Sequence, residues 1–409
     1  ENLPEIKPRS YKAAARTGAY AEQAGFSFYD SLYVNIPSYM KQPPRFIIDD
    51  GFPDPRQAPV DELLKASRLL MRDPPGRHSL ISGPPEGAPA LREALSHHLN
   101  VSRGLNIHAG NVLITRGGQM GIHLAASRLL KPGDKVIVGA PNYYLADLCF
   151  QQMGAKLIRV PVDDNGIDVD RIAGILEKQQ VRLLYIIPHH HHPTTVTLSA
   201  ERRMKLLTLI RQHKLPVIED DYDYEFHYSG GPLLPLASAP HQGQVIYIGS
   251  INKSLALPFR SGYIVGPPDF IQQAAYAHRL MELRGDTLME AALAVLFENG
   301  TVQRHLKKSS RLYEQRRDQL CRQLHTQLGS AVSFTPPEGG MAVWAHFDPS
   351  LPLPDIARRA ANMGLRMNDG TSYHYGVKAG NALRIGFAAQ EDADLPQIVT
   401  ILRKAALGK

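Results

Sequence analysis

Cysteine is scarce: two residues in 409, Cys149 and Cys321, each inside an apolar helical pattern and far apart in sequence. That argues against a disulfide framework or a paired-cysteine metal site and for buried free thiols in a reducing cytoplasm. No uninterrupted apolar stretch is long enough to span a bilayer, and the N-terminus lacks the apolar core of a signal peptide, so neither a membrane location nor secretion is expected. Like charge is never massed either. The 46 Lys and Arg against 39 Asp and Glu leave +7, scattered without a block of five or six, which gives little support for a nucleic-acid partner of this chain. No internal repeat or low-complexity tract occurs. With 43% hydrophobic and 21% charged residues the chain is not a disordered tail, and its length allows two or three domains around a large core.

The opening Glu1 to Ser10 has linker composition and begins on Glu rather than Met, so the chain is expected to be a fragment of a longer protein. Residues 11–45 are poorly patterned, with Tyr29, Tyr33 and Tyr39 as apolar anchors of an extended arm. A helix is expected over Val60 to Met71. From Ala90 onward, strand-length and helix-length pieces alternate, the signature of βαβ units and a mainly parallel sheet. Strands are expected at Val112–Thr115, Lys135–Val138, Lys156–Val160, Leu183–Ile187, Pro216–Ile218 and Val245–Ile248. Thr301 to Leu328 contains no Gly or Pro and reads as a long helix. The tail, with strands around Ala331–Thr335, Met341–Phe347 and Ala382–Phe387, reads as α+β. The expected organisation is a linker or arm over 1–45, the N-terminal part of a small domain over 46–89, a large domain over 90–295, and a long helix with the C-terminal small domain over 296–409.

Chemistry concentrates where expected strands end. Ser250-Ile251-Asn252-Lys253 follows an apolar run, with Arg260 seven residues beyond the lysine. A lysine on such a turn, freed of its proton by burial and cationic neighbours, suits a Schiff base to a phosphorylated aldehyde, with Ser250 and Arg260 as phosphate donors. Gly117-Gly118, between a strand and a helix beginning at Gln119, offers backbone amides to an anion, or merely a tight turn. Ile218-Glu219-Asp220-Asp221-Tyr222-Asp223 ends a strand in acids, where open α/β sheets bind ligands; Asp220 or Asp221 is a candidate partner for a protonated ring nitrogen. Tyr143 can lay a ring on a flat ligand or begin a helix as core. His189-His190-His191-His192 invites a metal, but alternate side chains of an extended run face opposite ways and no spaced partner exists, so a hydrogen bond to a ligand is the better reading. Arg384, in an apolar strand, needs an anion: a ligand carboxylate or a neighbouring acid.

Taken together, these residues resemble the fold-type I, pyridoxal-phosphate-dependent aminotransferases of class I/II, most closely the aminotransferase-like domain of MocR-type bacterial regulators. The resemblance covers roughly residues 45–409. It implies an α/β fold whose large domain has a mainly parallel seven-stranded sheet flanked by helices, with a smaller α+β domain, and pyridoxal 5'-phosphate as cofactor. Carried over by position, it implies Lys253 as the lysine that bonds the cofactor, Asp220 on the ring nitrogen, Tyr222 near the ring hydroxyl and Tyr143 stacked on the ring. Gly118, Gln119, Ser250 and Arg260 would hold the phosphate, and Arg384 the ligand's α-carboxylate. Two positions depart from the pattern. His192 stands before Pro193-Thr194 where aminotransferases carry Asn, and Ser82 where a tyrosine often precedes the Pro-x-Gly now occupied by Pro85-Glu86-Gly87. The resemblance implies a homodimer that senses an amino acid or amine, with DNA contacted only through a winged helix-turn-helix absent from this chain. The other reading is a free-standing aminotransferase acting on an amino acid and a 2-oxo acid.

Overall fold

The computed structural model describes residues 24–27, 44–72, 83–228, 230–231, 233–257, 259–374 and 380–408; Tyr29, Tyr33, Tyr39 and Ser82 lie outside them. Of the unit comprising residues 1–37, residues 24–27 are described and are exposed, while the unit comprising residues 38–409 carries every described helix and strand. It opens with strand β1 (Phe46–Ile47), helix α1 (Val60–Arg72) and helix α2 (Pro89–Arg103). Helix α2 starts on Pro89, whose missing N–H costs nothing in a first turn, and ends on Gly104 in the left-handed conformation. Alternation then runs through β2 (Val112–Thr115), α3 (Gly118–Leu129), β3 (Lys135–Ala140), α4 (Tyr144–Gln152), β4 (Lys156–Asp163), β5 (Gly166–Ile167), α5 (Val169–Lys178), β6 (Leu183–Ile186), α6 (Ala200–His213) and β7 (Val217–Asp221). Next come β8 (Val245–Gly249), α7 (Ile251–Leu255), β9 (Gly262–Val265), and the helices α8 (Pro268–Glu282), α9 (Thr287–Glu298) and α10 (Thr301–Leu328). The chain finishes with β10 (Val332–Ser333), β11 (Ala342–Phe347), α11 (Leu353–Asn362), β12 (Leu365–Arg366), β13 (Ala382–Gly386) and α12 (Leu395–Leu407).

The large sheet has the order β2-β9-β8-β7-β6-β3-β4-β5. Strands β4, β3, β6, β7 and β8 are parallel neighbours; β9 runs antiparallel between β8 and β2, and β5 antiparallel to β4. Eight strands stand where seven are expected. The extra one is a two-residue hairpin arm, made possible because Asp163 accepts the N–H of Asn165 and Gly166 takes φ +92°. Strands β2, β6, β7, β8 and β9 are buried throughout, because helices cover both faces. Ile218, Ile246, Ile248 and Ile264 pack with Ile122 of α3, Phe150 of α4 and Ile271 of α8, while Leu184, Val217 and Val245 pack with Ile172 of α5 and Leu206 and Ile210 of α6. This arrangement brings the C-terminal ends of β2, β3, β6, β7 and β8 to one edge of the sheet.

A second, antiparallel sheet, β10-β11-β13, has its own apolar core against α10, α11 and α12, and β1 pairs in parallel with β12. Two expectations are corrected here. Lys253 lies within helix α7 rather than on a turn, since Ser250 caps that helix. The acids after Ile218 belong to β7 itself, which pairs with β8 as far as Asp221 opposite Gly249.

Candidate active site

Strand β8 delivers the lysine. At its end the Ser250 hydroxyl oxygen accepts the N–H of Lys253 at 3.3 Å, and Ala256 closes α7 with φ +53°. Gly249 leaves room for Tyr263: a Cβ there would lie 2.2 Å from that ring, which would have to move. The Lys253 ammonium donates to the Gly51 carbonyl at 2.8 Å and lies 3.8 Å from the Phe52 ring centroid, with the Tyr222 ring at 6.0 Å. Burial, aided by the positive charge of Arg384, pushes its pKa down to about 8 although Asp50, Asp223 and Asp49 oppose the shift.

Strand β7 sorts its acids by the two-residue period. Glu219 accepts the backbone N–H groups of Leu236 and Ala237 and is pushed up to about 8 by burial. Asp221 accepts from Tyr247 at 2.8 Å and lies 3.2 Å from His189 Nδ1, and Arg103 donates in turn to Tyr247. Asp220 projects to the other face. There the Tyr185 hydroxyl donates to its Oδ2 at 2.7 Å, and burial raises its pKa to about 7 despite that hydrogen bond.

The histidine run is not extended, since His190 has φ +45°. Each imidazole has its own partner: His189 the Leu233 carbonyl, His190 the Asp223 carboxylate at 2.8 Å, His191 the Pro141 carbonyl and His192 the Asp50 carboxylate at 2.7 Å. Among the described residues no group of His, Cys, Asp and Glu is placed to hold a metal ion. Of the four, His192 reaches the residues expected to meet a ligand, packing edge-on against Tyr143 at 5.3 Å.

Tyr143 precedes α4 at the end of β3, and burial pushes its hydroxyl pKa up. After β2, Gly117 takes φ +82° and helix α3 begins at Gly118, so the amides of Gly118 and Gln119 fall in a first turn that has no intrahelical acceptors for them. A Cβ on Gly117 would sit 3.3 Å from the Arg260 guanidinium, which places that arginine beside the same turn; Gly262 of β9 closes it from behind, a Cβ there meeting Gly117 backbone at 2.7 Å. Gln119 donates to the Leu145 carbonyl, and its buried Oε1 has no partner among the described residues.

Arg384 comes from β13, across from Trp344 of β11. Its guanidinium is fully buried and donates to the Asp50 carbonyl (2.9 Å), the Pro193 carbonyl (3.1 Å) and the Tyr222 hydroxyl (3.1 Å). The nearest carboxylate oxygen in its ion pairs, on Asp50, is 4.0 Å away, so the neighbouring-acid account of this arginine is only partly met. Tyr222 in turn donates to the His190 carbonyl. Three residues of this cluster escape sequence reasoning: Asp50, Tyr373, whose hydroxyl donates to Asp50 at 2.7 Å, and Tyr185 beneath Asp220. Tyr185 reads as ordinary strand and Asp50 as a turn former; only their long-range partners reveal them.

Residues 52–402 match the family of class I and II aminotransferases. The chain is 29% identical over 344 residues, 82% of either chain, to aromatic-amino-acid aminotransferase 1 of Thermococcus litoralis. It is 26% identical over 370 residues to the probable rhizopine catabolism regulatory protein MocR of Rhizobium meliloti, covering 89% of this chain and 73% of that protein. The fold is similar to that of alpha-aminoadipate aminotransferase from Thermus thermophilus, crystallised with N-(5'-phosphopyridoxyl)-L-leucine, with a TM-score of 0.82 at 25% identity over 89% of this chain and 92% of that one.

Proposed function

Because the chain belongs to the class I and II aminotransferase family, whose cofactor is pyridoxal 5'-phosphate, we propose that Lys253 bonds that cofactor and that an amino acid or amine is received beside it. The observation that carries this reading is a buried lysine with its pKa lowered to about 8, in one cluster with Tyr222 and Arg384. The donor set suits a phosphorylated pyridine aldehyde: first-turn amides of Gly118 and Gln119, the Ser250 hydroxyl and the Arg260 fork for the phosphate, and the Tyr143 ring for stacking. Asp220, anchored through one oxygen by Tyr185, would keep the other for the ring nitrogen, and Tyr222 and His192 would serve the ring hydroxyl. When bound, the cofactor supplies an electron sink for the carbon bearing the ligand's amine.

The chain's own residues do the rest. Arg384, held by two carbonyls and Tyr222, offers the remaining donors of its fork to a ligand carboxylate. Lys253, once its amine is released by the incoming ligand, is the base positioned to move a proton. We favour the effector-sensing domain of a MocR-type regulator, because His192 replaces the usual amide and because MocR itself is among the relatives. The retention of Lys253, Asp220 and Arg384 supports the second reading, a free-standing aminotransferase. A helix-turn-helix encoded upstream of Glu1 decides between them.

Borohydride reduction of the yellow protein is expected to fix the cofactor's mass on the peptide containing Lys253; mass on any other lysine refutes the assignment. Arg384→Lys keeps the charge but loses the planar fork. It is expected to retain cofactor on Lys253 yet need ~10-fold more amino acid to change the cofactor's absorbance, as for a loss of about 1.4 kcal/mol. A lowered melting temperature with an unchanged titration would return Arg384 to the structural core.

A further inference from the structure

Asp50 is a charged group in this cluster to which the roles above give no work. Its carboxylate accepts from His192 Nε2 and from the Tyr373 hydroxyl, each at 2.7 Å, and its backbone carbonyl accepts from Arg384. The next carbonyl, that of Gly51, takes Lys253 Nζ. His192, Tyr373 and Arg384 are buried, yet the Asp50 side chain remains 37% exposed, and its negative charge acts on Lys253. Desolvation by its surroundings raises its pKa, but the His192 imidazole and Arg384 outweigh that and hold it down to about 2, so it stays an anion throughout the neutral range.

This position matters for which ligands fit. Asp50 lies on the Nε side of Arg384, 4.0 Å away, while the Nη groups point to Pro193 and Tyr222. A ligand carboxylate on the Nη edge therefore meets a guanidinium whose charge is already partly offset. A second carboxylate on the same ligand would face a fixed anion, and like charges brought together in a confined site select strongly against a partner. A cationic group would be attracted instead.

We propose that Asp50 is a specificity-determining residue that selects ligands carrying a positive charge beyond the reacting amine, namely diamines and dibasic amino acids, over dicarboxylic amino acids. The proposal rests on the reading of Lys253 given above. The competing account is that Asp50 only balances Arg384 and His192. The test is to titrate the cofactor-loaded protein with cadaverine, lysine, alanine and glutamate, following the cofactor's absorbance, and to repeat the series with Asp50→Asn and Asp50→Glu.

The wild type is expected to respond to cadaverine and lysine at lower concentration than to glutamate. Asp50→Asn should raise the cadaverine and lysine midpoints about 10-fold, lower that of glutamate and move alanine little, as expected for removal of one fixed charge from a partly enclosed site. Asp50→Glu should restore the preference. A uniform shift of all four midpoints in Asp50→Asn overturns the proposal in favour of a structural anion. So does a wild type that prefers glutamate to lysine, a comparison that needs no variant and holds even if Asn at 50 prevents cofactor loading. A wild type that fails to bond the cofactor at Lys253 refutes the underlying reading instead, and calorimetry with the same four compounds then measures whether the charge preference stands by itself.

Discussion

A buried ammonium is costly, and Lys253 offsets that cost by giving up its proton early. Its pKa in the folded chain is about 8 against 10.5 for the free side chain, so between those two values the unfolded chain binds a proton that the folded one does not. Stability therefore rises as pH climbs from about 8 to about 10.5, and the full penalty is present below 8. Without cofactor, Lys253→Met is expected to be more stable than wild type at pH 7, and the difference should shrink across that window; denaturant unfolding at several pH values measures it. A constant difference would place the ammonium in water. At Asp220 the logic concerns one hydrogen bond. Tyr185→Phe keeps the ring packed against Phe150 but removes the only side-chain donor that Asp220 has among the described residues, leaving that buried carboxylate readier to take up a proton. Cofactor affinity is expected to fall about tenfold, near 1.4 kcal/mol, without loss of fold, and fluorescence titration with pyridoxal 5'-phosphate checks it.

Among the elements, β9 and the start of α3 meet backbone to backbone. Gly262 touches the backbone of Gly117 and Gly118 so closely that a Cβ would lie 2.7 to 2.9 Å from it, and backbone cannot swing away as a side chain can. Gly262→Ala is expected to destabilise the protein by about 1–3 kcal/mol through overpacking. It should also weaken cofactor binding by displacing the first turn of α3, so melting curves with and without cofactor should separate more in wild type than in the variant. Equal separation would mean that the amides of Gly118 and Gln119 do not hold the phosphate.

For the whole molecule the informative surface is the end of α8. Tyr276 and Leu280 share one face at helical spacing, Leu283 is exposed at the cap that follows, and Leu280 is 91% exposed, an unusual accumulation of apolar area for a monomer. We expect a homodimer that covers it. Sedimentation should give twice the chain mass for wild type, and Leu280→Lys should shift the equilibrium toward monomer; a wild-type monomer that still binds cofactor would count against a shared site. Among the described residues no helix is long and apolar enough to cross a membrane.

Periodicity along the chain was enough to place the strands of the large sheet apart from β5 and β9, and helix α10 begins and ends where the pattern puts it. That is so because burial of one face or both is written locally, residue by residue. The acids of β7, Lys253 and Arg260 were likewise legible, since strand ends carry chemistry in this architecture and their order along the chain is distinctive. The short β5 hairpin was not, because two residues have no periodicity. Nor was the use of Asp50, 142 residues from His192, 323 from Tyr373 and 334 from Arg384. A carboxylate in a turn-forming stretch looks solvated until the fold brings an imidazole, a phenol and a guanidinium around it. Charge complementarity of that kind exists only between segments distant in sequence, so tertiary structure alone decides it.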